Sequence, residues 1–495
     1  MKAKWLPISA AVALALGSVS ASAVDFHGYM RSGLNYATQG GSAYCFGNGQ
    51  KGHLLGRLGD ECDTYAELAL SQEVFNKANN KFTVNTLVAY GTHETLDGVT
   101  GQYDYQGNSW QSVGFGGDRA GAEGHSAWHG QRLSLREAWA GYEMPSGIQL
   151  WAGKRFYQRK DIHIMDLYYL NNSGTGFGVE NIAVGNLGSV SVALIKHQTD
   201  VDATVYDFPY RQYPAKGGWE TFPVESANTA INSYKFDVRW NGIPLWNDAS
   251  LDVALIYAWQ KLSEQQKERM YDQRKDTDLG TKANNAFLAT VELTQGNFFG
   301  GFNKVVLQYG HDGFDNVGTL SSGSNHNGDA VIPYHEKGNG YRFIDWGVIE
   351  QPSWNLGYAL IATHKNSFDE TYSGNRCTNT ECGANWSHPT GNDYAFVVRP
   401  SYKWSDFTST VLEFGYTNQT NTGWNGWATD YKDRVKATKL TLAQQWTPGS
   451  HFWARPSIRV FASWLSGDLV RHEYFGNTKD DNHQVLLGAQ VEAWW

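Results

Sequence analysis

The end of the chain carries the pattern that most restricts the fold. Apolar side chains occupy every second position from Val485 to Trp495, whereas Gln490 and Glu492 lie on the opposite face. A period of two with one apolar face is typical of a β-strand. We expect a strand that ends the chain on an aromatic residue to close a barrel against the first strand, with its apolar face in lipid.

Similar alternation recurs along the chain and predicts many more strands. The predicted strands cover residues 24–36, 64–71, 133–138, the start of 151–169, a run that starts near 179, and residues 190–194, 234–240, 251–257, 286–293, 302–309, 356–364, 395–401, 408–416, 437–445 and 453–463. A chain of this length with about 16 to 18 strands has about 26 to 30 residues per strand and connection, which suits membrane strands of about ten residues. The sequence therefore predicts an all-β fold, a transmembrane antiparallel β-barrel around an aqueous channel. A soluble β-sandwich also alternates, but rarely with so many strands of one composition.

The first residues predict export from the cytoplasm. Lys2 and Lys4 precede an apolar run over residues 8–19, and small residues follow at 21–23. This order is that of a secretory signal peptide, so we expect a signal peptide at 1–23 and one barrel domain at 24–495. No other stretch approaches about 18 apolar residues, which excludes a helical membrane protein. The formal net charge of −9 argues against nucleic acid as a partner.

Four cysteines in an exported chain suggest disulfide bonds. Three pairings are possible, and the pairing local in sequence joins Cys45 to Cys62 and Cys377 to Cys382. Neither pair has His or Cys neighbours at the spacing of a zinc site. We expect no metal site and no cofactor.

A connection of about twenty residues after residue 155 is too long for a simple hairpin, and such loops are usually functional or disordered. Charged residues lie on both faces of this segment, so it cannot continue as a strand. Its opposite charges, His163 and paired tyrosines argue against disorder. One interpretation is a solvated surface loop. The other is a loop folded into the barrel, whose charges and rings line a passage. His163 and Asp166 lack a convincing third ligand for a metal ion, so we place them in the constriction.

Several aromatic residues fall on the strand face opposite to lipid. These inward rings are Tyr29, Tyr65, Phe302, Trp453 and Trp494. A water-filled pore does not need rings, but a ring face can cover the C–H patch of a sugar while charged groups bond to its hydroxyls. The polar partners would be Arg31, Arg57, Glu67, Arg136, Arg159, Asp161 and Asp166. The alternative is that the rings only fill the lumen.

Segments spread over nearly the whole mature chain resemble the maltoporin family of maltose- and maltodextrin-specific outer-membrane porins. The similar segments are Val24-Asp25-Phe26-His27-Gly28-Tyr29, Arg31-Ser32-Gly33, Leu58-Gly59, Glu61-Cys62, Thr64-Tyr65-Ala66-Glu67-Leu68, Trp151 to Tyr169, Glu180-Asn181-Ile182, Gly301-Phe302-Asn303-Lys304, Ala443-Gln444-Gln445-Trp446, Arg455-Pro456, Ile458-Arg459-Val460-Phe461 and Trp494-Trp495. The long insert between residues 92 and 132 and the loop around Cys377 and Cys382 depart from the family pattern.

This resemblance implies an 18-stranded barrel in the Gram-negative outer membrane, with a third loop folded inward. It also implies a homotrimer in contact with outer-membrane lipid, and passive, saturable diffusion of maltose and maltodextrins along a path of aromatic rings. That path would contain the five inward rings and a sixth from a neighbouring subunit, Trp128 or alternatively Trp110. The hydrogen-bonding set at the constriction would be Arg31, Arg57, Glu67, Arg136, Arg159, Asp161, His163, Asp166 and Tyr168. A periplasmic maltodextrin-binding protein is a possible partner.

Other functions are possible. A sucrose-type porin is expected to have smaller or less charged constriction residues, whereas this chain keeps Arg136, Asp161 and Tyr168. A non-specific porin should lack an aligned aromatic path, and a structural or adhesive barrel should have a blocked lumen. A secreted glycosidase would need two carboxylates, such as Asp161 with Asp166 or Glu67. The many arginines would keep these carboxylates ionised, so we expect the protein not to be an enzyme.

Overall fold

The computed structural model describes residues 24–40, 43, 54–61, 64–92, 112–114, 131–202, 228–261, 263, 285–312, 314, 336–369, 391–420, 435–468 and 483–495. The predicted signal peptide, the four cysteines, Trp110 and Trp128 lie outside these residues. No helix within the described ranges is long and apolar enough to cross a membrane.

Among the described residues, eighteen strands form one closed antiparallel sheet in which neighbours in the chain are neighbours in space. The barrel closes where the first strand pairs with the last, with Tyr29 opposite Trp494. The barrel strands are β1 (Asp25–Ala37), β2 (Thr64–Lys77), β3 (Asn80–Thr92), β5 (Gln131–Glu143), β6 (Gln149–Arg155), β9 (Gly174–Ala183), β10 (Ser189–Asp202), β11 (Asn228–Pro244), β12 (Ala249–Gln260), β13 (Ala286–Phe298), β14 (Gly301–His311), β15 (Glu336–Glu350), β16 (Trp354–Asp369), β17 (Gly391–Lys403), β18 (Thr408–Thr420), β19 (Val435–Trp446), β20 (Ser457–Gly467) and β21 (His483–Trp494). This confirms the predicted barrel of about 18 strands.

Three short strands and one 3-10 helix accompany the barrel. The strand β4 (Ser112–Gly114) pairs with residues 132–134 of β5. The strands β7 (Lys160–Ile162) and β8 (Leu167–Leu170) form a small hairpin around the 3-10 helix His163–Met165. This hairpin belongs to the third long connection of the barrel, between β6 and β9.

The strands follow the predicted alternation, with one face outward and one toward the lumen. Leu68, Leu487 and Ile458 are exposed on the outer face, whereas Tyr29 and Trp494 point inward, where they contact lumen groups. Because barrel strands of this kind join by short turns at the periplasmic end, we assign that end to the short connections. The two-residue turn Ala78–Asn79 is one of them, and both of its residues have positive φ.

The structure corrects several strand predictions. β3 and β15 were not predicted. β15 was missed because its inward residues Ile344, Trp346 and Val348 are apolar and buried, so the expected polar face is absent. β20 begins at Ser457, so Trp453 lies in the turn before the strand and not on it as predicted. β9 begins at Gly174, earlier than the predicted start near Val179.

The third loop folds into the lumen because one of its sides is apolar. Ile162, Ile164 and Met165 are buried with Leu167, Tyr169 and Leu170 against the inner wall formed by β12 to β17. The sequence predicted charges on both sides of this segment. The structure instead places Arg159, Asp161, His163, Asp166 and Tyr168 on the side facing the lumen. The predicted inward-folded third loop is therefore confirmed.

Charged groups fasten the same loop to the wall. The Lys160 Nζ atom lies 2.6 Å from Asp252 Oδ2 and 3.1 Å from Glu292 Oε1. The Tyr169 hydroxyl donates a hydrogen bond to Glu292 Oε2 at 2.6 Å. Of these groups only the Glu292 carboxylate is fully buried, and it binds Lys304 as well as Lys160, so the loop is tied to a buried ionic cluster.

A second segment, residues 54–61 of the first long connection, also lies inside the barrel. We call it the inner segment. Its Leu54, Leu55 and Leu58 are buried in three separate clusters on the lumen wall. The inner segment lies so close to β18 that only glycine fits at position 415, because a Cβ added at Gly415 would stand 2.0 Å from the Leu55 carbonyl oxygen.

Candidate functional site

The five inward rings lie close together in the lumen, and their order along it is called the path here. The Tyr65 and Tyr29 ring centroids are 6.2 Å apart, and Tyr29 is the cross-strand partner of Trp494. His163 bridges the next gap, with its ring centroid 5.5 Å from Trp494 and 5.1 Å from Trp453. The Trp453 ring stacks on Phe302 at 6.4 Å and an interplanar angle of 19°. The path therefore runs Tyr65, Tyr29, Trp494, Trp453 and Phe302.

Glu492 is the charged centre beneath this path. Its carboxylate is buried and lies 3.0 Å from Arg57 Nη2, 2.8 Å from Arg455 Nη2 and 3.5 Å from Arg459 Nη1. The Arg455 guanidinium carbon in turn lies 4.2 Å from the Trp494 ring centroid. Such a cation over a ring face is attracted by the ring quadrupole. The carboxylate thus orients groups that hold the rings.

Arg57 belongs to this charged centre and not to the open wall of the passage. It is 4% exposed and donates from Nη2 to the Tyr29 hydroxyl at 2.7 Å. It also donates from Nε to Glu61 Oε1 at 2.7 Å, and its backbone N–H donates to the Ile164 carbonyl at 3.0 Å. Arg57 therefore positions Tyr29 and joins the inner segment to the third loop.

The other predicted polar residues lie around the passage. The Arg31 Nη1 atom lies 2.9 Å from Asp166 Oδ2, and the Tyr65 hydroxyl donates to Glu67 Oε1 at 2.5 Å. The Arg159 guanidinium carbon lies 4.6 Å from the Tyr168 ring centroid. Arg136 interacts electrostatically with Glu67, Arg159 and Tyr168. The structure thus brings together the predicted residues that it describes.

Burial sets the charge of the groups on the third loop. Burial raises the pKa of Asp161, and nearby Asp166 acts in the same direction. Burial raises the pKa of the Tyr168 hydroxyl to about 12, so the hydroxyl stays neutral and can donate a hydrogen bond. Burial lowers the pKa of His163 well below its ordinary value, and Arg57 and Arg455 add to this effect against the opposing charge of Glu492. The imidazole is therefore neutral at physiological pH.

We expect His163 to weaken the fold in mild acid. Its pKa in the folded chain lies below the ordinary value of 6.5, so the unfolded chain binds more protons as the pH falls through that value. Stability is therefore lost below about pH 6.5, and His163→Gln should reduce the difference in free energy of unfolding between about pH 7.5 and about pH 5. Denaturant unfolding in detergent at the two pH values measures this difference, and His451→Gln, on an exposed turn, is the control. Equal pH dependence in parent and His163→Gln would contradict the assignment.

Sequence reasoning missed part of the site. Glu61 and Glu492 were not predicted to bind arginine side chains. Glu492 could have been found from the sequence, because the alternation of the last strand places it on the inward face with Trp494. Two further rings were also missed. The Phe452 ring centroid lies 5.0 Å from that of Trp453, and the Trp346 ring centroid lies 5.0 Å from that of Phe302. Within the described part of the chain, no group of three or more His, Cys, Asp and Glu side chains could hold a metal ion.

Comparison with known proteins matches this arrangement to one family. The model of the LamB porin family matches residues 24–495. Two relatives named maltoporin, from Vibrio cholerae serotype O1 strains El Tor Inaba N16961 and Classical Ogawa 395, are each 32% identical over 494 residues. Each alignment covers 99% of this chain and 98% of the relative.

Among solved structures, Pseudomonas aeruginosa OccD3 is 12% identical, with a TM-score of 0.42 over 97% of this chain and 93% of that one. This similarity is too low to support a conclusion. The family match, together with the closed barrel, identifies a multi-pass outer-membrane channel and not an enzyme. The chain belongs to the LamB porin family.

Proposed function

We propose that the chain is a sugar-specific porin through which maltose and maltodextrins diffuse across the outer membrane. The observation that supports the proposal is the series of five inward rings with charged and hydroxyl groups close to them. The names of the two relatives, each called maltoporin, agree with this substrate class. The alternatives are a broader, sucrose-type porin, which is expected to have smaller or less charged constriction residues, and a non-specific porin, which would need no aligned series of rings.

The spacing of the rings suggests how a glucan moves. The Tyr65 and Tyr29 ring centroids are 6.2 Å apart and those of Trp453 and Phe302 are 6.4 Å apart, while the His163 ring lies 5.5 Å from Trp494 and 5.1 Å from Trp453. A pyranose that leaves one ring can therefore begin to contact the next, so its apolar face is not fully exposed to water at any step. This keeps the free-energy barriers between positions low.

Charged and hydroxyl groups of the lumen wall and the third loop would bind the sugar hydroxyls. These groups are Arg31, Glu67, Arg136, Arg159, Asp161, Asp166 and Tyr168, and together they offer both acceptors and donors. Hydrogen bonds to charged groups are stronger than neutral ones, which offsets the loss of hydration when the sugar enters the constriction. Both signs of charge are present, so the wall suits a neutral polyol better than an ion of one sign.

Further proposals complete this function. We assign Trp128 as the sixth ring, supplied by a neighbouring subunit of a homotrimer, with Trp110 as the competitor. Residues 1–23 would be removed as a signal peptide, and Cys45–Cys62 and Cys377–Cys382 would be disulfides. A periplasmic maltodextrin-binding protein would accept the sugar. Size measurement of the native oligomer and mass mapping of the mature chain test these assignments.

Single-channel recording with sugars tests the function directly. Maltohexaose should block the ion current with micromolar to millimolar affinity, whereas sucrose should block poorly. Trp494→Ala should weaken the maltohexaose block by roughly 3- to 10-fold, because a ring contact contributes about 0.5–1.5 kcal/mol beyond its buried area. The small-ion conductance should hardly change.

The matched control is Trp464→Ala, which removes an exposed tryptophan from the outer face of β20. It should leave the sugar block unchanged. If Trp494→Ala and Trp453→Ala both bind maltohexaose like the parent, the ring path does not carry the sugar. Equal block by sucrose and maltohexaose would favour the broader porin.

A further inference from the structure

The outer face of the barrel contains a groove that the sugar path does not use. It crosses β13 to β17 and has a volume of about 480 Å³, within the range of ordinary ligand pockets, ~300–1,000 Å³. Side chains that point away from the lumen line it, among them Leu307, Phe343, Ala362 and Tyr394. The groove therefore opens toward the bilayer.

The register of the strands explains why a groove forms there. Leu307 pairs with Phe343, Phe343 pairs with Ala362, and Ala362 pairs with Tyr394 in one row across four strands. Large side chains stand on both sides of Ala362, which contributes only a methyl group. Ala289 likewise contributes only a methyl group next to the large side chain of its cross-strand partner Tyr309. The two alanines thus leave a recess one side chain deep between rings.

Apart from Tyr394, the polar side chains that point outward in the groove lie at one end. The next row toward the long connections contains Tyr309, Tyr341, His364 and Asn392, which are cross-strand neighbours in that order. The His364 Nδ1 and Asn392 Oδ1 atoms are 2.8 Å apart. Tyrosine hydroxyls and other polar tips concentrate where a membrane meets water. The groove thus has an apolar body and a polar end at the outer-leaflet interface.

We propose that this groove holds one acyl chain of lipid A in the outer leaflet, with the carbonyl or hydroxyl of that chain at Tyr341 and His364, and phosphatidylethanolamine is the rival occupant that the test must exclude. The groove is continuous with the exposed band that faces hydrocarbon, where Leu307 is 56% and Leu360 is 41% exposed. Water is excluded from that region, and an unfilled recess loses dispersion contacts on one side. A hydrocarbon chain supplies those contacts and needs no polar partner until the interface.

Native mass spectrometry of the purified oligomer tests the site. Hexa-acylated lipid A and phosphatidylethanolamine are titrated separately, which distinguishes the two sources of acyl chain. Ala362→Phe should fill the recess and weaken the tightest lipid binding by about tenfold. Ala362→Leu is a milder version in case the phenylalanine disturbs the barrel, and it should weaken binding in the same direction.

The matched control is Ala462→Phe. Ala462 is also exposed on the outer face, where it pairs with Leu442 and Leu487 in a row outside this groove. The Ala462→Phe variant should bind lipid as tightly as the parent does. Equal lipid affinity in the parent and both Ala362 variants would overturn the proposal. Dissociation of the oligomer by Ala362→Phe with unchanged lipid binding would also overturn it, and would assign the groove to a contact between copies.

Discussion

Replacing Glu492 by Gln is expected to weaken both the fold and the sugar path. The carboxylate is 1% exposed and lies within 3.5 Å of Arg57, Arg455 and Arg459. Removing one partner from a buried ionic cluster typically costs about 3–5 kcal/mol, because the remaining charges stay desolvated. We also expect maltohexaose binding to fall by about tenfold, since Arg455 and Arg57 would no longer hold Trp494 and Tyr29 in place.

Glu413→Gln separates these two effects. Glu413 is equally buried, and its carboxylate binds Arg399 and lies 2.9 Å from Lys439 Nζ, but it contacts no ring of the path. Its replacement should lower the free energy of unfolding by a similar amount and change the sugar affinity by less than about twofold. Denaturant unfolding and current block measure the two quantities. Equal loss of sugar affinity in both variants would show that Glu492 has no specific role in the path.

Lys439→Met is expected to release the inner segment from the wall. The Lys439 Nζ atom lies 2.6 Å from the Gly56 carbonyl oxygen, 3.0 Å from the Leu58 carbonyl oxygen and 2.5 Å from Asp60 Oδ2. Its loss leaves two buried carboxylates, Asp60 and Glu413, without their shared cation, at a cost of about 3–5 kcal/mol. The loosened segment should also raise the current noise of the open channel.

Lys81→Met is the control for this change. The Lys81 Nζ atom lies 3.1 Å from Glu143 Oε1, but the two side chains are 36% and 44% exposed. An exposed pair of this kind contributes only about 0–1 kcal/mol. Unfolding measurements should therefore show a small effect for Lys81→Met and a large one for Lys439→Met. Similar effects in the two variants would mean that the inner segment is not held by Lys439.

The inward rings could be predicted because each lies on a strand, or beside one, whose other face is apolar. Tyr29, Tyr65 and Trp494 follow from parity alone, and their position needs no knowledge of distant residues. Trp453 was assigned to the correct side although it lies in a turn, because the predicted strand was extended too far toward it. Local alternation therefore locates the path well but not the ends of its strands.

The packing of the third loop could not be predicted from local pattern. Ile256, Leu288 and Ile361 are apolar and point inward, and only the loop that covers them explains this. The sequence alone cannot distinguish such residues from lipid-facing ones, because both are apolar and buried from water. The position of the inner segment could not be predicted either, because the residues that bind it on β18 and β19 lie more than 350 residues further along the chain.

The junction between the inner segment and the third loop has a consequence for pore engineering. The two elements come from different long connections and meet at the hydrogen bond from the Arg57 backbone N–H to the Ile164 carbonyl, 3.0 Å long. Among the described residues, the space inside the eighteen-stranded frame is thus narrowed where these two inserted segments meet. Exchanging these loops between barrels of one strand number should alter the admitted cargo without rebuilding the wall.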